Sequence, residues 1–168
     1  MKYIIINLIT LLQDYNIDND FTPKCENISV SLSEGQKESD FKVANLLEAS
    51  EKYWLGQDNS PASFIVNLGC EKRVNLIELI NANNGKAKDK GAKDIKVSVS
   101  KKKEGPWSQV VKTVLKDPTK TSDPLPVQSF KFEGRLTGFV KVDIDSYYGT
   151  GAGLQYFHVR GNLVSCSF

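Results

Sequence analysis

A chain of 168 residues with 40% hydrophobic side chains can bury one substantial core without a metal or a dense disulfide framework, so a single domain is expected. The formal charge of +2, from 22 basic and 20 acidic side chains, excludes a chain-wide polycation and, with it, nucleic acid as the expected partner. The charge is unevenly spread: between Lys86 and Glu104, Lys86, Lys88, Lys90, Lys93, Lys96, Lys101, Lys102 and Lys103 stand against Asp89, Asp94 and Glu104, and the rest of the chain is net acidic.

Residues 1–12 have a basic start followed by an apolar run from Tyr3 to Leu12, the order of a short signal peptide. The run is too short to span a bilayer, which takes ~20 apolar residues. No small-x-small cleavage site follows, and an N-terminal strand is the alternative. Residues 1–24 are therefore expected to be a signal-like segment and lead-in, with one domain over 25–168. Asn27-Ile28-Ser29 is a glycosylation sequon, meaningful in the secretory pathway. Cys25 and Cys166 lie near the ends of that domain, where one bridge would tie them together, leaving Cys70 as a small buried apolar side chain. A secreted, extracellular protein is the expectation.

From Asn27 onward apolar residues recur at every second position, the period of strands with one buried face. The first set is Ile28, Val30 and Leu32; Phe41 to Glu48 has room for a turn or two of helix. Phe64, Val66 and Leu68 follow. Val74 to Ile80 is apolar on both registers, which predicts a central strand covered on both sides. Ile95, Val97 and Val99, then Phe130 and Phe132, then Val140, Val142 and Ile144, and finally Leu154 to Val159 complete the strands. Turn chemistry separates them at Gly56 to Pro61, Asn83-Asn84-Gly85, Gly105-Pro106, Asp117-Pro118, Asp123 to Pro126 and Gly149 to Gly153. Short strands so punctuated, without alternating helices, predict an all-β sandwich or jelly roll.

The sequence lacks catalytic signatures. Its one histidine, His158, lies among Tyr156, Phe157 and Val159 with no accompanying nucleophile motif, and a structural role is expected. Three dispersed cysteines and one histidine make no zinc spacing. Gly149-Thr150-Gly151-Ala152-Gly153 is followed by a strand rather than a helix, unlike a phosphate-binding glycine loop. Asp14, Asn16 and Asp18 begin like a calcium-hand loop, but Asn19 replaces its glycine and Cys25 its final glutamate. Asp143 and Asp145 share a strand face beside Lys141 and are expected to be solvated. A non-enzymatic binding module is the outcome.

Tyr53-Trp54, Phe64 to Gly69, Val74 to Asn81, Asn83-Asn84, Lys88 to Gly91, Ile95 to Ser100, Gly105-Pro106-Trp107 and Ser146 to Tyr156, taken as an ordered set over residues 25–166, resemble the discoidin domain, also called the coagulation factor type C domain. The resemblance implies a jelly-roll sandwich of the galactose-binding-like group, a disulfide between Cys25 and Cys166, and an extracellular module that binds glycan, phospholipid, collagen or other protein through loops at one end. Those loops map onto Ser33 to Phe41, Trp54 to Ser60 and Asn81 to Lys93. It implies no cofactor, although a structural calcium ion occurs in some galactose-binding-like domains.

Two readings of the site follow. In the first, the module recognises carbohydrate: Asn81, Asn83 and Asn84 supply amides that donate and accept, while Trp54, Tyr147 and Tyr148 supply ring faces for a pyranose. The alternatives are that the asparagines make the turn and that Trp54 packs under its own loop. In the second, an adhesion or scaffold module binds a cell-surface or matrix protein, or an anionic surface such as phospholipid or sulfated glycan, through the lysine-rich loop. Lys86, Lys88 and Lys90 would then be its contacts. Where the family commonly has Asp-Arg-Gly, this chain has Asp89-Lys90-Gly91, which replaces a planar fork of donors by a point charge.

Overall fold

Ten strands account for most of the described residues of the computed structural model, which are 19–20, 28–31, 43–47, 52–83, 89–120 and 125–162. They are β1 (Asn19–Asp20), β2 (Ile28–Ser31), β3 (Trp54–Asp58), β4 (Ala62–Asn81), β5 (Lys90–Ala92), β6 (Asp94–Ser100), β7 (Ser108–Val114), β8 (Gln128–Ile144), β9 (Tyr147–Gly149) and β10 (Gly151–Asn162). The expected helix is a single 3-10 turn over Val43–Leu47, which buries Val43 and Leu46.

Two expected strands merge into each of the long ones. β4 joins the Phe64–Leu68 and Val74–Ile80 segments, and β8 joins Phe130–Phe132 to Val140–Ile144. Their antiparallel ladder breaks between Asn67 and Lys72. Gly69 sits there at φ +79°, its N–H held by Asn67 Oδ1 at 2.9 Å. The left-handed conformation lets the strand turn a corner without ending, since glycine carries no Cβ to clash. On one side of the break the first half of β4 lies between β2 and the second half of β8, which continues into β6 and β7. On the other side the second half of β4 lies between β10 and the first half of β8, with β3 and β1 along the outer edge of β10.

These two halves face each other across the core. Phe64 of the first layer meets Phe157 of the second edge-on, with ring centroids 5.2 Å apart, and Trp54 meets Phe64 in the same way at 5.5 Å. Val66, Val97, Val140, Val142 and Ile144 from one layer and Ile77, Leu79 and Val159 from the other are buried around them. The alternation expected of half-buried strands therefore holds, as does the all-β sandwich. The run apolar on both registers has a more specific cause: the register shifts between Val74 and Leu76. A bulge there passes the inward-facing role from Val74 to Ile77 and Leu79.

Asn19 and Asp20, from the expected lead-in, pair with Gly161 and Arg160 at the edge of β10. One expectation is corrected. Cys70 is not the leftover thiol: it is disulfide-bonded. Cys25 and Cys166 lie outside the described residues, but with three cysteines in the chain a bridge at Cys70 uses one of them and displaces the Cys25–Cys166 pairing. The registers give the physical reason: the described ends of β2 at Ile28, opposite Val66, and of β10 at Asn162, opposite Arg73, both lie beside the β4 corner that carries Cys70. Asn27 is likewise outside the described residues.

No described helix is long and apolar enough to cross a membrane.

Candidate functional site

The strand ladders define two ends of the sandwich. At one end lie the β3–β4 turn, the end of β4, β5, β9 and the start of β10. At the other lie the β4 corner and the β6–β7 turn.

The first end is organised by the glycine-rich run between β9 and β10. β5 pairs with β9 so that Lys90 opposes Gly149, while Gly151 opposes Asp58 of β3. Gly149 has φ +83°, and a Cβ on it would lie 2.5 Å from the carbonyl oxygen of Asp89; one on Gly153 would lie 2.6 Å from that of Lys90. Only glycine admits this approach. Its consequence is that Asp58, Asp89, Lys90 and Thr150, distant in sequence, are gathered into one polar cluster.

Within the cluster Lys90 Nζ is ion-paired with Asp58 Oδ1. The lysine side chain is 13% exposed and the aspartate 64%, so the ammonium sits beneath a carboxylate that faces solvent. Thr150 Oγ1 donates to Asp89 Oδ2 at 2.9 Å, and its N–H donates to the Asp89 carbonyl at 2.7 Å. Asn59, at φ 57°, closes the β3–β4 turn and donates its N–H to the Thr150 carbonyl at 2.8 Å; asparagine tolerates that conformation better than other side-chain-bearing residues. The result is a rigid surface of mixed donors and acceptors.

Beneath it, several expected ligand contacts are structural. Asn81 is 2% exposed and its amide is fully engaged. Nδ2 donates to the carbonyls of Ala92 at 2.8 Å and Lys116 at 3.0 Å, and Oδ1 accepts from the N–H groups of Ala82 at 3.0 Å and Ala92 at 2.8 Å. Trp54 is 3% exposed, inside the core, and offers no ring face to a pyranose. Tyr147 packs half-buried against the core. Tyr148 donates its hydroxyl to the Leu115 carbonyl at 2.8 Å, and its ring lies 5.9 Å from Lys93 Nζ. Asn83 is half-buried just after β4, while Asn84, Lys86 and Lys88 lie outside the described residues.

Burial, followed by the nearby carboxylates of Asp117 and Asp94, raises the Tyr148 pKa above its ordinary value of 10.0. A tyrosine that binds its proton more tightly when folded contributes fully below pH 10.0 and loses that contribution as pH rises through the folded value. Tyr148→Phe should thus lower stability at neutral pH, through loss of the Leu115 hydrogen bond, yet flatten the alkaline limb of a stability-versus-pH curve. Urea unfolding from neutral to strongly alkaline pH checks this, and an unchanged alkaline slope would remove Tyr148 as its source.

The strand expected over Ile95 to Val99 divides the lysine-rich segment. Strand β6, seven residues long and so roughly 20 Å, intervenes. Lys90 and Lys93 lie at the first end and Lys101 to Lys103 at the other, while Lys96 pairs with Asp145 at 2.6 Å. Asp143 pairs with Lys141 at 3.0 Å. His158 is half-buried on β10, its Nδ1 2.5 Å from the Tyr156 hydroxyl and the two rings stacked at 3.9 Å. Among the described residues no group of three or more His, Cys, Asp or Glu side chains comes together to hold a metal. The Asp58–Lys90 pair does not fit calcium, because an ammonium already neutralises the outward carboxylate.

Asp58, Asn59 and Thr150 were not singled out as ligand contacts in the sequence. Asp58 and Asn59 do fall in the Trp54 to Ser60 loop expected at the binding end, whereas the alternating glycines around Thr150 were read as turn chemistry alone.

No family model matches the sequence, and no curated protein matches it. Solved structures do. A chitosan-binding module from a chitosanase/glucanase of Paenibacillus sp. IK-5 superposes with a TM-score of 0.67 at 20% identity, covering 85% of this chain and 99% of that one. The family 32 carbohydrate-binding module of Clostridium perfringens NanJ, solved with galactose, gives 0.66 at 16% identity over 86% and 99%. The fold these modules share with this chain is a jelly-roll β-sandwich. A third such jelly roll, the family 32 module of AlyQ in complex with 4,5-unsaturated mannuronic acid, gives 0.58 at 12% identity over 79% and 92%. In this jelly roll the glycines of 149–153 set the geometry of the end that carries Asp58, Asp89 and Lys90.

Proposed function

We propose that the chain is a non-catalytic, extracellular carbohydrate-binding module whose ligand sits on the Asp58–Asp89–Lys90–Thr150 surface. The observation that carries this reading is the convergence of those four side chains around Gly149 to Gly153. Charged groups facing solvent suit sugar hydroxyls, because each hydroxyl both donates and accepts and hydrogen bonds to ions are stronger than neutral ones. The same fold carries chitosan-, galactose- and uronate-binding modules elsewhere, which supports the ligand class. Asn83, which follows β4 at this end, and Asn84, Lys86 and Lys88, which lie outside the described residues, are proposed as further contacts.

Asp58→Asn and Thr150→Val test the assignment. Each removes a charge or a hydroxyl while keeping the side chain's size. Loss of a hydrogen bond to a charged group costs about 1.5–3 kcal/mol, so Asp58→Asn should weaken binding of a glycan-array hit by roughly 10- to 100-fold. Calorimetric titration measures it, with circular dichroism confirming the fold. Undiminished affinity in both variants would exclude this surface.

A further inference from the structure

The opposite end of the sandwich has a different character. Three chain segments meet there: residues 71–73 at the corner of β4, the 101–107 turn between β6 and β7, and 133–135 within β8. Lys101 Nζ lies 3.2 Å from Glu71 Oε2, Arg73 Nη1 donates to the Gly134 carbonyl at 3.1 Å, and Arg135 opposes Val74 in the ladder. A Cβ on Gly138 would lie 3.1 Å from the Lys101 carbonyl, so the lysine turn rests directly on β8.

This brings Lys72, Arg73, Lys101, Lys102, Lys103 and Arg135 together against Glu71, Glu104 and Glu133. Arg135 pairs with Glu133 at 3.3 Å, whereas Lys102 and Lys103 are exposed and in no ion pair among the described residues. Exposed pairs contribute about 0–1 kcal/mol, so Lys101 and Arg135 can exchange their partners for a ligand anion at little cost. Beside the lysines stands Trp107. It is half-buried and folded back on Gly105, where an added Cβ would lie 3.0 Å from Cδ1 and 3.4 Å from Nε1. Its indole N–H makes no hydrogen bond among the described residues.

We propose that this end is a second binding surface, for an acidic polysaccharide whose carboxylate or sulfate groups meet the cations while a sugar ring or hydroxyl meets Trp107. An indole that combines a ring surface with a spare donor suits a sugar. A membrane fits less well: the exposed large apolar side chains among the described residues are Val114 and Val127. Val114 opposes Asp94 at the far end of β6, and Val127 precedes the end of β8 that pairs with Leu79, so neither supplies a wedge here. This inference is independent of the Asp58 surface.

Affinity chromatography and calorimetry with polygalacturonate, heparin and neutral galactan, at low and high salt, test it using the full chain and the double variant Lys102→Glu/Lys103→Glu. The wild type should bind a polyanion at low salt and release it as screening shortens the Debye length. The variant should bind it on the order of tenfold or more weakly, while its neutral-glycan binding is unchanged. Preference between polygalacturonate and heparin identifies carboxylate or sulfate as the anion. Equal polyanion binding by the two proteins, no polyanion binding by the wild type, or tighter binding to phosphatidylserine vesicles or single-stranded DNA would overturn the proposal.

Discussion

Trp54→Ala should destabilise the fold by about 3–5 kcal/mol rather than selectively abolish ligand binding. Trp54 is 3% exposed and forms one end of the edge-to-face series Trp54–Phe64–Phe157, which runs from β3 in the second layer to the first layer and back to β10. Truncation removes the largest side chain of that series and leaves a cavity whose neighbours are already close-packed. Against a total stability of roughly 5–15 kcal/mol for an ordinary domain, the loss is severe. Thermal unfolding should shift down by about 10 °C or more, and Trp54→Phe should recover most of it. A tryptophan acting as a sugar platform would show the reverse pattern, with melting unchanged and binding lost.

Asn81→Ala should cost about 2–4 kcal/mol, because it strands several groups at once. The Ala92 N–H, the Ala92 carbonyl and the Lys116 carbonyl all use the Asn81 amide, and an unsatisfied buried group costs about 1–3 kcal/mol where water cannot replace its partner. Asn81→Asp should be at least as damaging. It keeps the acceptor but replaces the donor with a buried carboxylate that faces two carbonyl oxygens. Urea unfolding should give a lower midpoint at unchanged slope. Because Asn81 ties β5 and the 115–120 segment to the end of β4, ligand binding should fall only as far as the fold loosens. Reduced affinity with full stability would instead make Asn81 a direct contact.

The layers of the sandwich were legible wherever one face of a strand is buried. Ile95, Val97 and Val99 or Val140, Val142 and Ile144 cannot slip by one residue without exposing an entire apolar row. The continuity of β4 through Gly69 was not legible, because a left-handed glycine that bends a strand and one that ends it have the same sequence signature. Asn81 shows the same limit for side chains. An amide suits sugar hydroxyls and backbone groups equally, and its partners Ala92 and Lys116 stand 11 and 35 residues away. The division of the lysines was legible in the alternation: the strand expected over Ile95 to Val99 carries Lys90 and Lys93 to one end of the molecule and Lys101 to Lys103 to the other. Asp58 and Thr150 become a pair of neighbours only once β3, β5 and β9 assemble around Gly149 to Gly153.

Titration of the labelled protein with an array-selected neutral glycan, followed residue by residue through its backbone amide resonances, tests the central claim most directly. The account predicts saturable shifts concentrated at Asp58 to Ser60, Asp89 to Gly91 and Gly149 to Gly151, with the amides of β7 and the 101–107 turn unmoved. Shifts centred elsewhere on the sandwich, with those three segments silent, would contradict it.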